Sequence, residues 1–277
     1  MPSSGPDVDL LRRIDAYLDA TPRTAARAEP IGPFTLFVGR GDGWQYYARP
    51  TPGTTAVDAA DVRRVLDRQR RLRVPHTFEW IADLVPGLAG AAVNVGLEVT
   101  LHPLMVLDPG AFPSPPSRPE VDVRVATVED DLATLQAVAQ VAFGAPGTAI
   151  GRTGAESLPD AAISIPAGRL AFVYDRVGRG VTVTAAAYAD GVPVSVGNHQ
   201  PVGDATEIVG VGTLPAFRRR GFGAAVTARL VQDAVKRGAE LIFLSAGDEV
   251  IARVYAGLGF RVVGSAGAAE PSERAAR

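Results

Sequence analysis

The chain has 277 residues, enough for one large domain or two ordinary ones, and two is the better expectation. Hydrophobic residues make up 47% and charged residues 21%, which is typical of a folded protein and excludes wholesale disorder. The net charge of -2 gives no overall attraction to nucleic acid or to an anionic membrane, so we expect neither partner. Cysteine is absent, which excludes disulfides, thiolate metal sites and cysteine nucleophiles.

The N-terminal segment, MPSSGPDVDLLRRIDAYL, is acidic where a signal peptide is basic, and it lacks an apolar core. No later stretch reaches about 18 uninterrupted apolar residues, the length typical of a membrane helix. We therefore expect a cytoplasmic protein.

Residues 1–107 are predicted to form a mixed α/β domain. Helices are predicted at DVDLLRRIDAYLDA, AADVRRVLDRQRRL and FEWIADLVPGL, from the spacing of their apolar residues. Strands are predicted at PFTLFVGR and WQYYARP, which flank the turn GRGDG, and at NVGLEVTLHPLMVL. The segment 108–120 contains five prolines and is predicted to be an extended linker between domains.

Residues 121–265 are predicted to form a second domain. DVRVAT is predicted as a strand and VEDDLATLQAVAQVAFG as a helix; the strands RLAFVYD, VTVTAAAYAD, VPVSVGNHQ and TEIVGVGT follow as a meander. A helix, AAVTARLVQDAVKRG, then ends at Gly238, before the strand LIFLSAG, the helix VIARVYAGLG and the strand FRVVG. Residues 266–277 are expected to be a disordered tail.

The most informative segment is TEIVGVGTLPAFRRRGFGAAVTARLV, which predicts an anion site. Gly221 and Gly223 let the backbone approach a ligand closely, and the N–H groups and dipole of the following helix favour negative charge. Arg218, Arg219 and Arg220 can add charge-assisted contacts to phosphate oxygens. A solvated basic turn that binds no ligand is the alternative. Two other phosphate-binding motifs are excluded, because the chain has no Walker loop and because Val226 occupies the position where the dinucleotide fingerprint requires a third small residue.

This segment resembles motif A of the GCN5-related N-acetyltransferases (GNAT), whose loop pattern Q/R-x-x-G-x-G/A appears here as Arg218-x-x-Gly221-x-Gly223. The family continues with a strand, a helix bearing a tyrosine, and Gly-Phe; here these are LIFLSAG, DEVIARVYAGLGF with Tyr255, and Gly259-Phe260. The resemblance covers roughly residues 121–264. It implies a mixed, mostly antiparallel sheet flanked by helices, and acetyl-CoA as co-substrate.

The resemblance also assigns cofactor contacts. It implies that the backbone of Val211, Gly212 and Thr213 holds the acyl and pantetheine portion. The pyrophosphate is assigned to Arg219, Arg220, Gly221, Phe222, Gly223 and Ala224, and Arg218, as the first residue of the loop pattern, is counted among the cofactor-binding residues.

Acyl transfer to an amine needs a proton acceptor for the amine and a proton donor for the departing thiolate. The family uses a tyrosine as the donor, which implies this role for Tyr255; a core aromatic is the alternative. Glu207 resembles the general base of the histone acetyltransferase branch, although it could equally be a solvated strand residue. His199 is a weaker relay candidate, and Asp248 replaces the asparagine that the family often carries seven residues before the tyrosine.

The N-terminal half lacks a second phosphate loop, but its elements allow a degenerate copy of the same fold, as in tandem members of the family. His76, Glu79 and Trp80 lack ligand spacing, so we expect no metal site and ordinary packing there.

These features predict an enzyme that transfers an acetyl group from acetyl-CoA to a primary amine by direct attack in a ternary complex. A single motif-bearing domain beside one without the motif favours a small-molecule amine, because a protein substrate needs an open groove. A non-catalytic acyl-CoA-binding module, a protein N-terminal or lysine acetyltransferase and, more weakly, a dinucleotide oxidoreductase are the alternatives. The sequence leaves the oligomeric state open, including a homodimer.

Overall fold

A computed structural model describes residues 7–108, 121–145 and 147–272 of the chain. Nearly all of the predicted linker at 108–120 lies outside the described residues, as does the part of the predicted tail at 273–277.

The described residues form both helices and strands. The helices are α1 (Val8–Arg23), α2 (Ala59–Leu72), α3 (Gly87–Val93), α4 (Leu132–Gly144), α5 (Leu158–Ile163), α6 (Ala167–Gly178), α7 (Phe222–Lys236) and α8 (Glu249–Ala256). The strands are β1 (Ala26–Ile31), β2 (Phe34–Gly39), β3 (Ala48–Pro50), β4 (Phe78–Ile81), β5 (Leu97–Leu107), β6 (Asp122–Val125), β7 (Val183–Ala189), β8 (Val192–Val202), β9 (Ala205–Thr213), β10 (Leu241–Ser245) and β11 (Arg261–Pro271). None of these helices combines the length and the apolar character needed to cross a membrane.

The chain divides into two compact units. Unit 1 contains the described parts of Met1–Met105, Ser245–Glu249 and Val262–Arg277, and unit 2 contains those of Val106–Leu244 and Val250–Arg261. The predicted domain at 121–265 therefore does not coincide with unit 2, because 245–249 and 262–265 belong to unit 1.

Unit 1 is a sheet with helices on its faces, in the strand order β1-β2-β3-β4-β11-β5. One face of the sheet packs on α2 and α3 through a core that includes Phe34, Phe78 and Trp80. The expectation of a tail at 266–271 was wrong, because β11 pairs antiparallel with β4 in the register Ala266↔Ile81 to Ala269↔Phe78. The predicted hairpin is confirmed, since β2 pairs antiparallel with β3.

The helix predicted across FEWIADLVPGL was also wrong. Its first half forms β4, in which Phe78 and Trp80 are buried and Glu79 between them is exposed, the alternation of a strand. The helix α3 begins only after Pro86. Proline fixes the backbone in a conformation that suits the start of a helix.

Unit 2 has the strand order β10-β9-β8-β7-β6. β6, β7, β8 and β9 form an antiparallel meander, and β10 adds to β9 in parallel. The mixed, mostly antiparallel sheet flanked by helices is therefore confirmed. The strand predicted at RLAFVYD was wrong, because these residues lie in α6, where Leu170, Val173, Tyr174 and Val177 recur with the period of a helix.

The helix α7 lies directly on the sheet of unit 2. A Cβ atom at Gly197 of β8 would lie 2.9 Å from Val211, 3.0 Å from Val226 and 3.2 Å from Leu230, so only glycine lets the helix come this close. Val226 and Leu230 are fully buried. This packing fixes α7, and with it the loop that leads into its N-terminus.

A buried polar contact joins the same two elements. His199 of β8 is fully buried; its Nδ1 lies 2.9 Å from the Thr206 hydroxyl and its Nε2 lies 3.1 Å from the Asp233 carboxylate of α7. Asp233 is also paired with Arg237. Burial lowers the pKa of His199, although Asp233 opposes that shift. His199 is therefore neutral in the folded protein near neutral pH.

This contact predicts a pH-dependent stability. The unfolded chain binds a proton at His199 as the pH falls below about 6.5, whereas the folded chain resists it, so the free energy of unfolding should fall with decreasing pH. The slope from one such group is at most about 1.4 kcal/mol per pH unit. Urea unfolding between pH 7.5 and 5 should show a shallower decline in His199→Gln than in the wild type, with His102→Gln as the control. Equal slopes in all three proteins would contradict this role of His199.

Candidate acyl-CoA site

The site begins where two strands of unit 2 separate. The parallel pairing of β9 with β10 joins Ala205–Leu241, Thr206–Ile242 and Glu207–Phe243, and it ends there, while β9 continues to Thr213. On the other side of β9, Gly210 has φ 62° and the register with β8 shifts between Val196 and Asn198. This irregularity is a bulge that bends β9, although Gly212 and Thr213 still pair with Val196 and Ser195 of β8, so only the edge of β9 on the β10 side lacks a partner beyond Glu207. The end of β9 is thus available to a ligand that lies along it.

The loop after β9 brings an uncapped helix terminus to this opening. A short 3-10 turn at Pro215–Phe217 is followed by Arg219 with φ 63° and Gly221 with φ 85°, and α7 begins at Phe222. Gly221 is the N-cap residue, and no side chain caps the helix. The first intrahelical bond runs from the Ala225 N–H to the Gly221 carbonyl, at 3.0 Å. Three N–H groups, those of residues 222–224, therefore lack a partner within the helix, and they favour an anion.

The three arginines of the loop differ in their contacts. The Arg219 side chain is exposed, and the described residues give it no hydrogen bond or ion pair. The Arg220 guanidinium lies 5.3 Å from the ring centroids of both Phe217 and Phe222, a cation–π arrangement. The Arg218 guanidinium donates hydrogen bonds to backbone carbonyls instead. Only Arg219 is thus placed to reach a phosphate without giving up an existing contact.

A cavity of about 320 Å³ lies next to this loop, within unit 2. Its lining residues come from α4, the end of β9, the loop, the start of α7, and α8: Ala142, Phe143, Ala145, Gly147, Thr148, Val211, Gly212, Thr213, Phe217, Arg218, Arg219, Gly221, Phe222, Gly223, Ala224, Thr227, Ile251, Val254 and Tyr255. All the predicted cofactor-binding residues except Arg220 are among them. The sequence analysis did not identify the lining residues of α4 and of the segment just after it, because these small and apolar residues form no recognisable motif.

Tyr255 of α8 lines the cavity, and its ring packs edge to face against Phe260 at a centroid distance of 5.8 Å. Burial raises the pKa of Tyr255 to about 12. The hydroxyl therefore stays protonated over the whole neutral range, which is the state a proton donor requires.

Glu207 does not line the cavity. It lies opposite Gln200 of β8, at the last pair that joins β9 to β10 and four residues before Val211. That interval corresponds to about 13 Å along a strand, so Glu207 could exchange protons with the cavity only through ordered water. His199 is likewise outside the cavity lining, and both of its ring nitrogens already have partners.

Unit 1 contains a titratable group whose properties the sequence analysis did not foresee. Desolvation by the surrounding protein raises the pKa of Glu79 to about 7, although Glu79 keeps an exposed surface and receives a hydrogen bond from Tyr47. The nearby Arg49 is fully buried and forms an ion pair with Asp15 at 2.5 Å. Within the described residues, no group of three histidine or carboxylate side chains is arranged to hold a metal ion.

These features fit a coenzyme A thioester. The free N–H groups of residues 222–224 and the charge of Arg219 suit a pyrophosphate. The edge of β9 that is no longer paired with β10 suits the amide groups of pantetheine, and small and apolar side chains line the rest of the cavity.

The sequence model of the Acetyltransferase (GNAT) family matches residues 159–260 of the chain. This segment contains β9, the loop, α7 and Tyr255. A comparison with curated proteins gives no match.

Solved structures share the fold over nearly the whole chain. A GCN5-related N-acetyltransferase from Kribbella flavida superposes with a TM-score of 0.70 at 23% identity, covering 96% of this chain and 97% of its own. A conserved protein of unknown function from Staphylococcus epidermidis superposes with a TM-score of 0.56 at 13% identity, covering 88% of this chain and 93% of its own. A GNAT-family protein from Novosphingobium aromaticivorans superposes with a TM-score of 0.51 at 17% identity, covering 89% of this chain and 90% of its own. The resemblance that the sequence analysis identified is thus confirmed for the fold.

The anion site predicts that inorganic pyrophosphate stabilises the protein. A ligand at ten times its Kd adds about 1.4 kcal/mol, which should raise the unfolding midpoint by roughly 3–6 °C. Arg219→Met should reduce this rise, whereas Lys236→Met, which removes an exposed charge at the opposite end of α7, should leave it unchanged. Differential scanning fluorimetry at low salt measures the effect. An equal rise in both variants would place the anion elsewhere.

Proposed function

We propose that this chain, whose residues 159–260 match the sequence model of the GNAT acetyltransferase family, transfers an acetyl group from acetyl-CoA to a primary amine of a small molecule. The observation that carries the proposal is the uncapped N-terminus of α7, which faces a cavity lined by Arg219 and by the end of β9 beyond its pairing with β10. The family match supports the reaction class.

The chain's own residues would bind and orient the donor. Residues 222–224 and Arg219 would hold the pyrophosphate, and the backbone of Val211, Gly212 and Thr213 would hold the pantetheine and acyl portion. When bound, acetyl-CoA supplies a thioester carbonyl that an amine can attack directly in a ternary complex. Backbone N–H groups at the end of β9 would stabilise the negative charge that develops on the carbonyl oxygen.

Two proton transfers complete the reaction. The attacking amine must lose a proton, and Glu207, at the point where β9 and β10 separate, would accept it through water. The departing thiolate must gain a proton, and the Tyr255 hydroxyl in the cavity would donate it. The Tyr255 hydroxyl is protonated at neutral pH, so its proton is available when the thiolate forms.

Cofactor binding is tested by placing a negative charge at the helix terminus. In Gly221→Asp the new carboxylate caps the free N–H groups of α7 and repels phosphate, so binding of acetyl-CoA should be abolished. Gly221→Asn is the matched neutral control: it also tolerates a positive φ and should weaken binding much less.

Isothermal titration calorimetry measures both variants, and circular dichroism checks that each is folded. No binding of acetyl-CoA to the wild-type protein, or equal binding to all three proteins, would sink the proposal.

Catalysis is tested at Tyr255. Tyr255→Phe keeps the ring against Phe260 but removes the proton donor, so turnover should fall roughly 10²-fold or more while the Kd for acetyl-CoA stays within about twofold. Tyr174→Phe is the control, because that hydroxyl bonds the Asp130 carbonyl at 3.3 Å outside the cavity.

The assay follows thiol release with a panel of small amines and a peptide that has a free N-terminus and a lysine. Release with the peptide alone would favour a protein acetyltransferase. Binding of acetyl-CoA without release for any acceptor would favour a non-catalytic module.

A further inference from the structure

Arg218, the first arginine of the loop, is committed to backbone carbonyls. Its Nη2 donates to the carbonyls of Ala142 at 2.9 Å and Ala145 at 2.6 Å, its Nη1 to Ala149 at 3.2 Å, and its Nε to Thr213 at 3.3 Å. A guanidinium has five N–H donors on three nitrogens, and here every nitrogen already has an acceptor. These four bonds leave one N–H of Nη1 without an acceptor, so a forked, two-bond contact with a phosphate would require breaking one of them.

The carbonyls that Arg218 binds need a partner. Ala142 lies in the last turn of α4, and Ala145 is the residue just after it, in extended conformation. The last carbonyls of a helix have no acceptor role within the helix and carry its negative partial charge, so a permanent cation is a favourable partner for them. Arg218 thus caps α4 from a position far along the chain.

The same segment forms one wall of the cavity. We call Ala142, Phe143, Ala145, Gly147 and Thr148 the wall residues; all of them line the cavity. The wall lies against the end of β9, because a Cβ atom at Gly212 would be 2.9 Å from the Ala142 Cβ. Its position therefore sets the width of the cavity beside the residues expected to hold the pantetheine.

The chain just beyond the wall residues is tied to the loop by two further bonds. The Gly151 N–H donates to the Pro215 carbonyl at 3.1 Å, and the Ala216 N–H donates to the Thr153 carbonyl at 3.0 Å. The contact is close, since a Cβ atom at Gly151 would lie 2.8 Å from the Pro215 Cβ. The loop and the segment from α4 to Thr153 therefore form one bonded assembly, with Arg218 as its charged member.

We infer that Arg218 is a positioning residue that holds the wall residues in place for the acyl-pantetheine portion of the donor, and that it does not bind the pyrophosphate. The identity of the ligand in this inference rests on the proposed function. The placement of the wall residues by Arg218 does not. The three arginines then have separate roles. Arg219 supplies charge to the phosphates, Arg220 packs between Phe217 and Phe222, and Arg218 shapes the cavity.

The first test compares Arg218→Met with Arg219→Met in binding of acetyl-CoA at about 0.05 and 0.25 M NaCl, between which screening increases. Arg218→Met should raise the Kd about tenfold at both salt concentrations, which corresponds to about 1.4 kcal/mol, and should keep the salt dependence of the wild type. Arg219→Met should make binding less sensitive to salt. A reduced salt dependence in Arg218→Met would identify a phosphate ligand and overturn the inference, as would an unchanged Kd.

Two further variants separate geometry from charge. Gly151→Ala keeps every arginine but forces the segment away from Pro215, so it should weaken binding in the same way as Arg218→Met. Arg218→Lys keeps the charge but cannot form the forked set of bonds, so it should not restore binding. Wild-type affinity in Arg218→Lys would show that charge alone matters and would contradict the inference.

A measurement without ligand keeps this inference distinct from the proposed function. Amide hydrogen exchange of residues 141–153 should be faster in Arg218→Met than in the wild type, and unchanged in Arg219→Met. If the wild type fails to bind acetyl-CoA, the proposed function fails, yet faster exchange would still support the positioning role. Unchanged exchange in Arg218→Met would refute that role, whatever the ligand.

Discussion

The helix terminus at Gly221 is the feature on which the rest of unit 2 depends. An α-helix leaves its first N–H groups without intrahelical acceptors, and most helices satisfy them with a side chain at the N-cap. Here the N-cap is a glycine with φ 85°, which offers no side chain. The N–H groups are left open toward a cavity, which favours the binding of an anion there.

Several unrelated contacts keep this terminus in position. Gly197 lets α7 lie directly on the sheet, and the buried bond between His199 and Asp233 joins the helix to β8 further along. At the other side of the cavity, Arg218 joins the end of α4 to the loop. None of these residues needs to contact a ligand to affect the proposed binding, because each fixes the position of a backbone group in the proposed site.

The glycine-containing loop before α7 could be predicted from the sequence because its signals are local. Gly221 and Gly223 follow three arginines and precede an amphipathic helix, and each of those signals lies within one short segment. The different roles of the arginines could not be predicted in this way. Arg218 binds Ala142 and Ala145, more than 70 residues earlier in the chain, and no pattern in the sequence links these positions.

The errors in secondary structure have a similar origin. RLAFVYD is rich in residues that favour strands, and its helical period is visible only when Val177 is included. The strand at 266–271 consists largely of small residues with weak preferences, and it exists because β4 offers it a partner. Pairing with β4 thus decided the second outcome, whereas the apolar period that continues to Val177 decided the first. The pKa of Glu79 likewise depends on its surroundings, because burial raises it while the neighbouring Arg49 and Tyr47 lower it.

The most direct measurement is a titration of the ¹⁵N-labelled protein with coenzyme A, followed by the backbone amide resonances of Phe222, Gly223 and Ala224. If the uncapped terminus of α7 holds the pyrophosphate, these three amides should show the largest changes in chemical shift, because their N–H groups gain charged acceptors. If they keep their shifts at saturating ligand while amides elsewhere move, coenzyme A binds at another place. That result would contradict the account of this site.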